Sequence, residues 1–238
     1  MKLLTHINRD YITNEWNKFS NYRFKQLISG IDISYKNVIE PAIKNEIKLL
    51  NNISKLLDVG CGSGILTKYY ATIAEDVIGI DPSIENIIIA KEYCKEDKRI
   101  CFENSYAEDY SSESKFDCIV SNMVLMDVLN ISDVLKSISG NLIKGGIFIF
   151  TITHPCFFPI YYKYNTEKWF NYNSELIIEN DFTITNEVSS CQTVHIHRPL
   201  HLYLNLLNDN NLTIIKSNEL FGENFNLPRF LLIKCIKE

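Results

Sequence analysis

Between Leu56 and Gly64 the chain reads Leu-Leu-Asp-Val-Gly-Cys-Gly-Ser-Gly, with three alternating glycines behind a run of strand character. Glycines there let the backbone turn sharply and let a ligand press against bare main chain, while the following helix offers unpaired N–H groups at its first turn. Spacing separates the chemistries such a loop can serve. A phosphate loop needs Gly-Lys-Ser/Thr, but Gly64 is followed by Ile65 and Leu66. A dinucleotide fingerprint, Gly-x-Gly-x-x-Gly, would put its last glycine where Ile65 stands, and Asp58 would face a pyrophosphate with the wrong charge.

Other residues invite chemistry too. Thr151-Ile-Thr-His-Pro-Cys-Phe157 sets His154 just beyond an apolar strand, at the edge where open parallel sheets take ligands. An imidazole there can act as base or as hydrogen-bond donor to a substrate, since it titrates near neutrality. Standing before Pro155, it can equally cap the strand end through backbone bonds. Asp127 can orient a substrate amine or be an ordinary acid beside a helix. His195 and His197 share one face of an extended stretch near Cys191, but Arg198 intervenes and His201 sits a helical turn beyond, so no metal site is expected.

The elements that must position these residues read as an alternation. Strands are expected at Ser54–Val59, Val77–Ile80, Ile100–Phe102, Phe116–Val120 and Ile147–Ile152, with helices at Gly64–Ala74, Ser83–Cys94 and around Val134–Ile138. Such alternation means a parallel sheet covered on both faces, and the nearly all-apolar strands agree. Before it, Val38, Ala42, Ile43, Ile47 and Leu50 suit one face of a helix. After it, Pro155 to Val194 reads as hairpin strands, the alternation Asp181 to Asn186 being the clearest stretch. Pro199–Leu207 resumes a helix with Pro at its first turn, and Leu212–Lys216 and Phe230–Ile236 close the chain as strands. One domain is expected: an N-terminal section 1–52, a core 53–153, an insertion 154–197 and a closing section 198–238.

Composition narrows the function. In 238 residues, 24 Lys and Arg stand against 29 Asp and Glu, for a net charge of -5, and 46% of residues are apolar. Disorder and a surface that coats nucleic acid are disfavoured, and the mixed charges of Lys91–Arg99 form a solvated helix end rather than a basic stripe. Seven cysteines without a Cys-x-x-Cys pair suit a reduced interior. No signal-like or membrane-length apolar run is seen, so a cytoplasmic protein without membrane contact is expected. Of 28 aromatic residues, six fall within 1–50 and nine within 155–182. These two segments either carry small cores of their own or close over a flat ligand.

The string Asp58-Val-Gly-Cys-Gly-Ser-Gly64 resembles motif I of the class I S-adenosylmethionine (SAM) dependent methyltransferases, and the resemblance continues in order. Val77-Ile-Gly-Ile-Asp-Pro-Ser83 resembles that family's second strand, Ser105-Tyr-Ala-Glu-Asp109 the loop after its third, Phe116 to Asp127 its fourth strand and following loop, and Leu142-Ile-Lys-Gly-Gly146 the turn before its fifth. The string Thr-His-Pro-Cys-Phe is similar to that of bacterial small-molecule enzymes of this class. His197-Arg198-Pro-Leu is similar to the start of their last helix, where either residue lines the site or is structural.

The resemblance implies a Rossmann-like, doubly wound α/β fold: a seven-strand sheet with its last strand antiparallel, an N-terminal helical lid and a β-rich insertion. It implies SAM as cofactor and S-adenosylhomocysteine (SAH) as product. Asp58, Gly60, Cys61 and Gly62 would hold the cofactor's amino-acid end, and Asp81, with Pro82 and Ser83, its ribose, in keeping with an acid about 20 residues past the loop. Ala107 and Glu108 would meet the adenine, with Tyr106 standing where the family usually has Asp, and Ser121 and Met123 complete the set. His154 and Asp127 are the catalytic candidates.

The implied reaction is in-line displacement of a methyl group onto an O, N or C atom of a small, aromatic or amphipathic acceptor. Positioning supplies much of such a rate, and a base is needed only where the acceptor must lose a proton. The alternatives are a catalytically silent SAM sensor or partner subunit, and an RNA or protein methyltransferase. The Asn-Pro-Pro-Tyr motif for base amino groups is absent, Ser121-Asn-Met-Val standing there. A monomer or a homodimer fits equally.

Overall fold

The computed structural model describes residues 1–184, 187–222 and 224–238, with the backbone alone at 187–190. The chain opens with β1 (Lys2–Leu4) and the long helix α1 (Arg9–Ser29), then a π-helical turn at Tyr35–Ile39 runs into α2 (Glu40–Lys48). The alternation follows: β2 (Ile53–Val59), α3 (Ile65–Tyr70), β3 (Ala74–Asp81), α4 (Ile84–Tyr93), β4 (Ile100–Asn104), β5 (Phe116–Asn122), α5 (Ile131–Asn141) and β6 (Leu142–Thr153). Then come α6 (Phe158–Tyr161), β7 (Leu176–Ile184), β8 (Glu187–His197), α7 (Leu200–Asp209), β9 (Leu212–Phe221) and β10 (Pro228–Lys237).

Seven strands form one sheet in the order β4-β3-β2-β5-β6-β10-β9. Leu57 pairs with Ile78 on one side and Ile119 on the other, all parallel, while β10 runs antiparallel to both β6 and β9. The strand order reverses between β2 and β5, both of which start outward from the centre, so their carboxyl ends leave a crevice there. Both faces are covered, which is why the central strands read as unbroken apolar runs. Leu57, Ile119 and Phe148 pack against α5 and α7, whereas Leu56, Cys118 and Ile149 pack against α2 and α3. Adjacent residues on one strand thus serve opposite cores.

Local chemistry sets the helix ends. Asn8, Ser83 and Asn130 each accept the N–H of the residue three further on, at the starts of α1, α4 and α5. The helix after the glycine loop is shorter than its apolar content suggests, ending at Tyr70. Leu142 to Gly146, expected as a turn, belongs to β6: Phe116 faces Leu142 but Cys118 faces Ile147, and the surplus bulges out where Gly145 adopts φ +78°.

The insertion is only partly β. Pro155 to Glu175 coils through α6, a 3-10 turn at Tyr164–Thr166 and further turns, and the hairpin begins at Leu176. Phe158 stacks near Tyr161 and Tyr162, a spacing of three and four residues that suits a helical turn better than a strand. Of the alternating stretch expected as hairpin, Asp181 to Ile184 lies in β7, while Thr185 and Asn186 lie outside the described residues. A second sheet of order β1-β7-β8 joins the first residues of the chain to this hairpin, Leu3 opposite Ile178 and Ile178 opposite His195. Among the described residues no helix is long and apolar enough to cross a membrane, and Cys61, Cys94, Cys118 and Cys235 are buried thiols.

Candidate cofactor and acceptor site

The glycine loop is fastened to the end of β3, where Gly60 N–H and Cys61 N–H both donate to the Ile80 carbonyl at 2.8 and 3.0 Å. Gly60 has φ +70°, and a Cβ there would fall 2.3 Å from a methyl of Val124, so no other residue fits. Gly62, at φ +53°, meets no atom within 4 Å in the direction a Cβ would take and so presents bare backbone.

Two buried carboxylates flank this loop. Asp81 accepts from Gly62 N–H at 2.9 Å, Ser83 N–H at 2.8 Å and the Asn86 amide at 3.3 Å, donors that oppose the upward push of burial on its pKa. Asp58 has one donor, the Thr67 hydroxyl at 2.6 Å. Burial raises the Asp58 pKa to about 7, Asp81 adding repulsion against the partly offsetting Thr67 bond.

From this loop a cavity of about 330 Å³ runs along the crevice. Asp58, Gly60, Cys61, Gly62, Asp81, Pro82, Met123 and Asp127 all line it. It is walled as well by Trp16 of α1, by Phe158, Tyr162 and Tyr164 of the coiled segment, by Phe182 and His195 of the hairpin, and by Arg229. The aromatic segments carry a small core of their own: Trp16 and Phe19 pack on Phe182 at 6.3 and 4.7 Å between ring centres, and Trp16 and Phe182 also face the cavity.

The remaining expected cofactor residues stand outside the cavity lining. Ser83 caps α4, fully buried, with its hydroxyl on Asn17 at 2.7 Å. Ser121 is buried in β5 with an unpartnered hydroxyl. Ala107 and Glu108 lie in a 3-10 turn that α1 holds from above: Arg9 bonds Glu108 at 3.1 Å and Asp109 at 2.7 Å, and its guanidinium lies 3.9 Å from the Tyr106 ring centre.

His154 is turned away from the cavity. Its ring accepts Cys156 N–H on Nδ1 at 3.2 Å and pairs through Nε2 with Glu219 at 3.1 Å, which fixes a neutral ring with its proton on Nε2. Burial lowers its pKa, against the pull of Glu219. Thr153, one residue earlier, does line the cavity, so strand alternation carries His154 to the other side. The strand-end role is the one this geometry fits.

Asp127 does face the cavity. Burial drives its carboxyl well above the usual range despite the nearby Arg198 charge and a hydrogen bond from Trp16. Arg198 is structural: Nη1 and Nη2 donate to the carbonyls of Leu125, Val128 and Leu129, and Nε pairs with Glu175 at 2.6 Å, which clamps the loop after β5. His197 bonds the Tyr172 carbonyl at 3.0 Å and does not line the cavity. No group of three or more metal-ligating side chains occurs among the described residues.

Sequence reasoning passed over Arg229 and Arg23, neither of which sits in a recognisable pattern, and it reached Trp16 only through the aromatic surplus of the first 50 residues. Arg23 pairs with Asp32 at 2.7 Å at the cavity wall.

The residues suit a nucleoside carrying an amino-acid tail. Asp81 offers two acceptor oxygens for a diol, the loop offers a surface without side chains, and Asp58 offers a carboxylate to a cation. The methyltransferase domain family matches residues 57–150. A ubiquinone biosynthesis O-methyltransferase of Pelagibacter ubique is 36% identical over 148 residues, 59% of this chain and 61% of that protein. The chain thus spans about three-fifths of that curated relative. A SAM-dependent methyltransferase structure from Listeria monocytogenes superposes with TM-score 0.66 at 25% identity, over 82% of this chain and 97% of that one. The N-methyltransferase NodS of Bradyrhizobium japonicum, in complex with SAH, shares the fold with TM-score 0.59 at 16% identity, over 84% and 87% of the two chains.

Proposed function

Because the chain carries the domain and the fold of the class I SAM-dependent methyltransferases, we propose that it moves a methyl group from SAM to an O, N or C atom of a small acceptor. The observation that carries this reading is one continuous cavity lined both by Asp58, Gly62 and Asp81 and by an aromatic wall. When bound, SAM supplies a methyl group on a sulfonium. The chain's part is to orient and to exclude water. Asp81 holds the ribose hydroxyls, the loop backbone lies along the cofactor, and Asp58, ionised, faces its cationic end.

Trp16, Phe182 and Phe158 wall the cavity, so that an acceptor held against them is positioned for in-line transfer. Asp127, its carboxyl biased toward the protonated form, donates a hydrogen bond to the acceptor. The net acidic surface supports a small molecule over a nucleic acid as acceptor, and the Pelagibacter relative supports oxygen as the receiving atom. We read residues 1–238 as one domain, its lid and insertion serving a single site.

Isothermal titration with SAM and SAH tests the reading. Micromolar binding of both is expected, and Asp81→Ala should weaken it at least about tenfold, the loss of a charge-assisted bond pair. Absence of binding in the native chain would overturn the proposal.

A further inference from the structure

Arg229 is a buried cation without an anion. Its side chain lines the cavity although the residue is only 6% exposed. It sits at the start of β10, beside the end of β6, where its carbonyl accepts His154 N–H at 2.8 Å. The guanidinium lies 3.9 Å from the Tyr161 ring centre and 5.1 Å from that of Phe230. Nη1 donates to the neutral Ser34 hydroxyl at 3.1 Å, while Nε is buried with no partner at all. Burying an ionised group is costly unless it is paired, and an orphaned donor adds to that cost.

No carboxylate among the described residues forms an ion pair with it. Asp32, on the same wall, is taken by Arg23 at 2.7 Å and by Tyr35 N–H at 3.0 Å. Asp58 is bonded by Thr67, and Asp81 by Gly62, Ser83 and Asn86. The fold also makes room for this side chain, because a Cβ on Gly222 would lie 2.4 Å from Arg229 Cδ and 2.8 Å from Nη1.

We propose that the acceptor carries an anionic oxygen group, best a carboxylate on an aromatic ring, and that Arg229 binds it. This rests on the reading that the part of the cavity lined by Asp58 and Asp81 takes SAM. The free edge of a guanidinium matches a planar carboxylate through paired charge-assisted bonds, and the rings of Tyr162, Tyr164 and Trp16 that line the same cavity suit an aryl body. An anchor on this wall holds the receiving atom in register, as remote binding groups do in positioning catalysis.

The test titrates the SAH-loaded chain with 4-hydroxybenzoate, its neutral analogue 4-hydroxybenzamide and inorganic phosphate. Binding of the benzoate at least about tenfold tighter than the amide is expected, the worth of a charge-assisted contact. Arg229→Gln should abolish that preference and leave SAH affinity unchanged, Arg229→Lys should restore part of it, and Gly222→Ala should lower it by displacing the guanidinium. Phosphate binding tighter than benzoate supports the anionic site with a phosphoryl group as its occupant. Equal binding of benzoate and amide, or binding of none of the three, overturns the inference. If SAH itself fails to bind, the cofactor reading falls, and the same titrations on the chain alone still decide for or against Arg229.

Discussion

Trp16 of α1 packs on Phe182 of the hairpin at 6.3 Å between ring centres, so the N-terminal helix and the insertion meet at a cavity that Asp127 of the loop after β5 also lines. The helix is held there by this ring contact and the loop by the clamp of Arg198.

Trp16→Ala removes the ring that packs on Phe19 and Phe182. Stability should fall by roughly 1–3 kcal/mol, the usual cost of truncating a half-buried ring. Turnover per folded molecule should drop as well, because the ring lines the cavity. Denaturant unfolding and steady-state kinetics read the two effects separately.

SAM binding should strengthen as pH rises through about 7, where Asp58 ionises. The cation-facing carboxylate is neutral below that point, and Asp58→Asn should flatten the profile. Stability runs the other way for this group. Its folded pKa is raised above the ordinary 3.8, so its contribution is complete below that value and declines as pH climbs to about 7. Calorimetric titrations and thermal melts from pH 5 to about 8 would show the opposed slopes; parallel slopes would exclude Asp58 as the titrating group.

His154→Ala should act on stability, with a loss of roughly 1–2 kcal/mol from the Glu219 and Cys156 bonds, and leave turnover per folded molecule unchanged. A large fall in kcat with normal stability would return this histidine to the mechanism.

Arg198→Met removes three carbonyl bonds and the Glu175 pair at once. Destabilisation on the order of 3–5 kcal/mol is expected, with hydrogen exchange rising first in the loop around Asp127.

The sheet core was legible because strands buried on both faces must be written as apolar runs, and its glycines and Asp81 because turn geometry allows few substitutes. The lid was not. Helix α1 reads Arg-Asp-Tyr-Ile-Thr-Asn-Glu-Trp, and its buried positions include Thr13, Ser20 and Gln26, so no apolar stripe marks it. Strand β1 is three residues long and owes its form to partners in β7. His154 was misaimed by one step of strand alternation, which position along the chain alone does not reveal. Arg229 stands alone in the sequence between Pro228 and Phe230, and only the burial of its side chain beside Gly222 makes it conspicuous.

The pairing of Leu3 with Ile178 sets an order on how the protein comes into being. At the ribosome's pace of about 5–20 residues per second, α1 waits on the order of ten seconds or more before its hairpin partner is even made. Closing so long a loop also comes late, after the locally wound sheet core. The wall that Trp16 and Phe182 give the cavity therefore waits until most of the chain is made, and the newborn chain carries Trp16 and Phe19 without their hairpin partner until then, a window in which chaperones would find them.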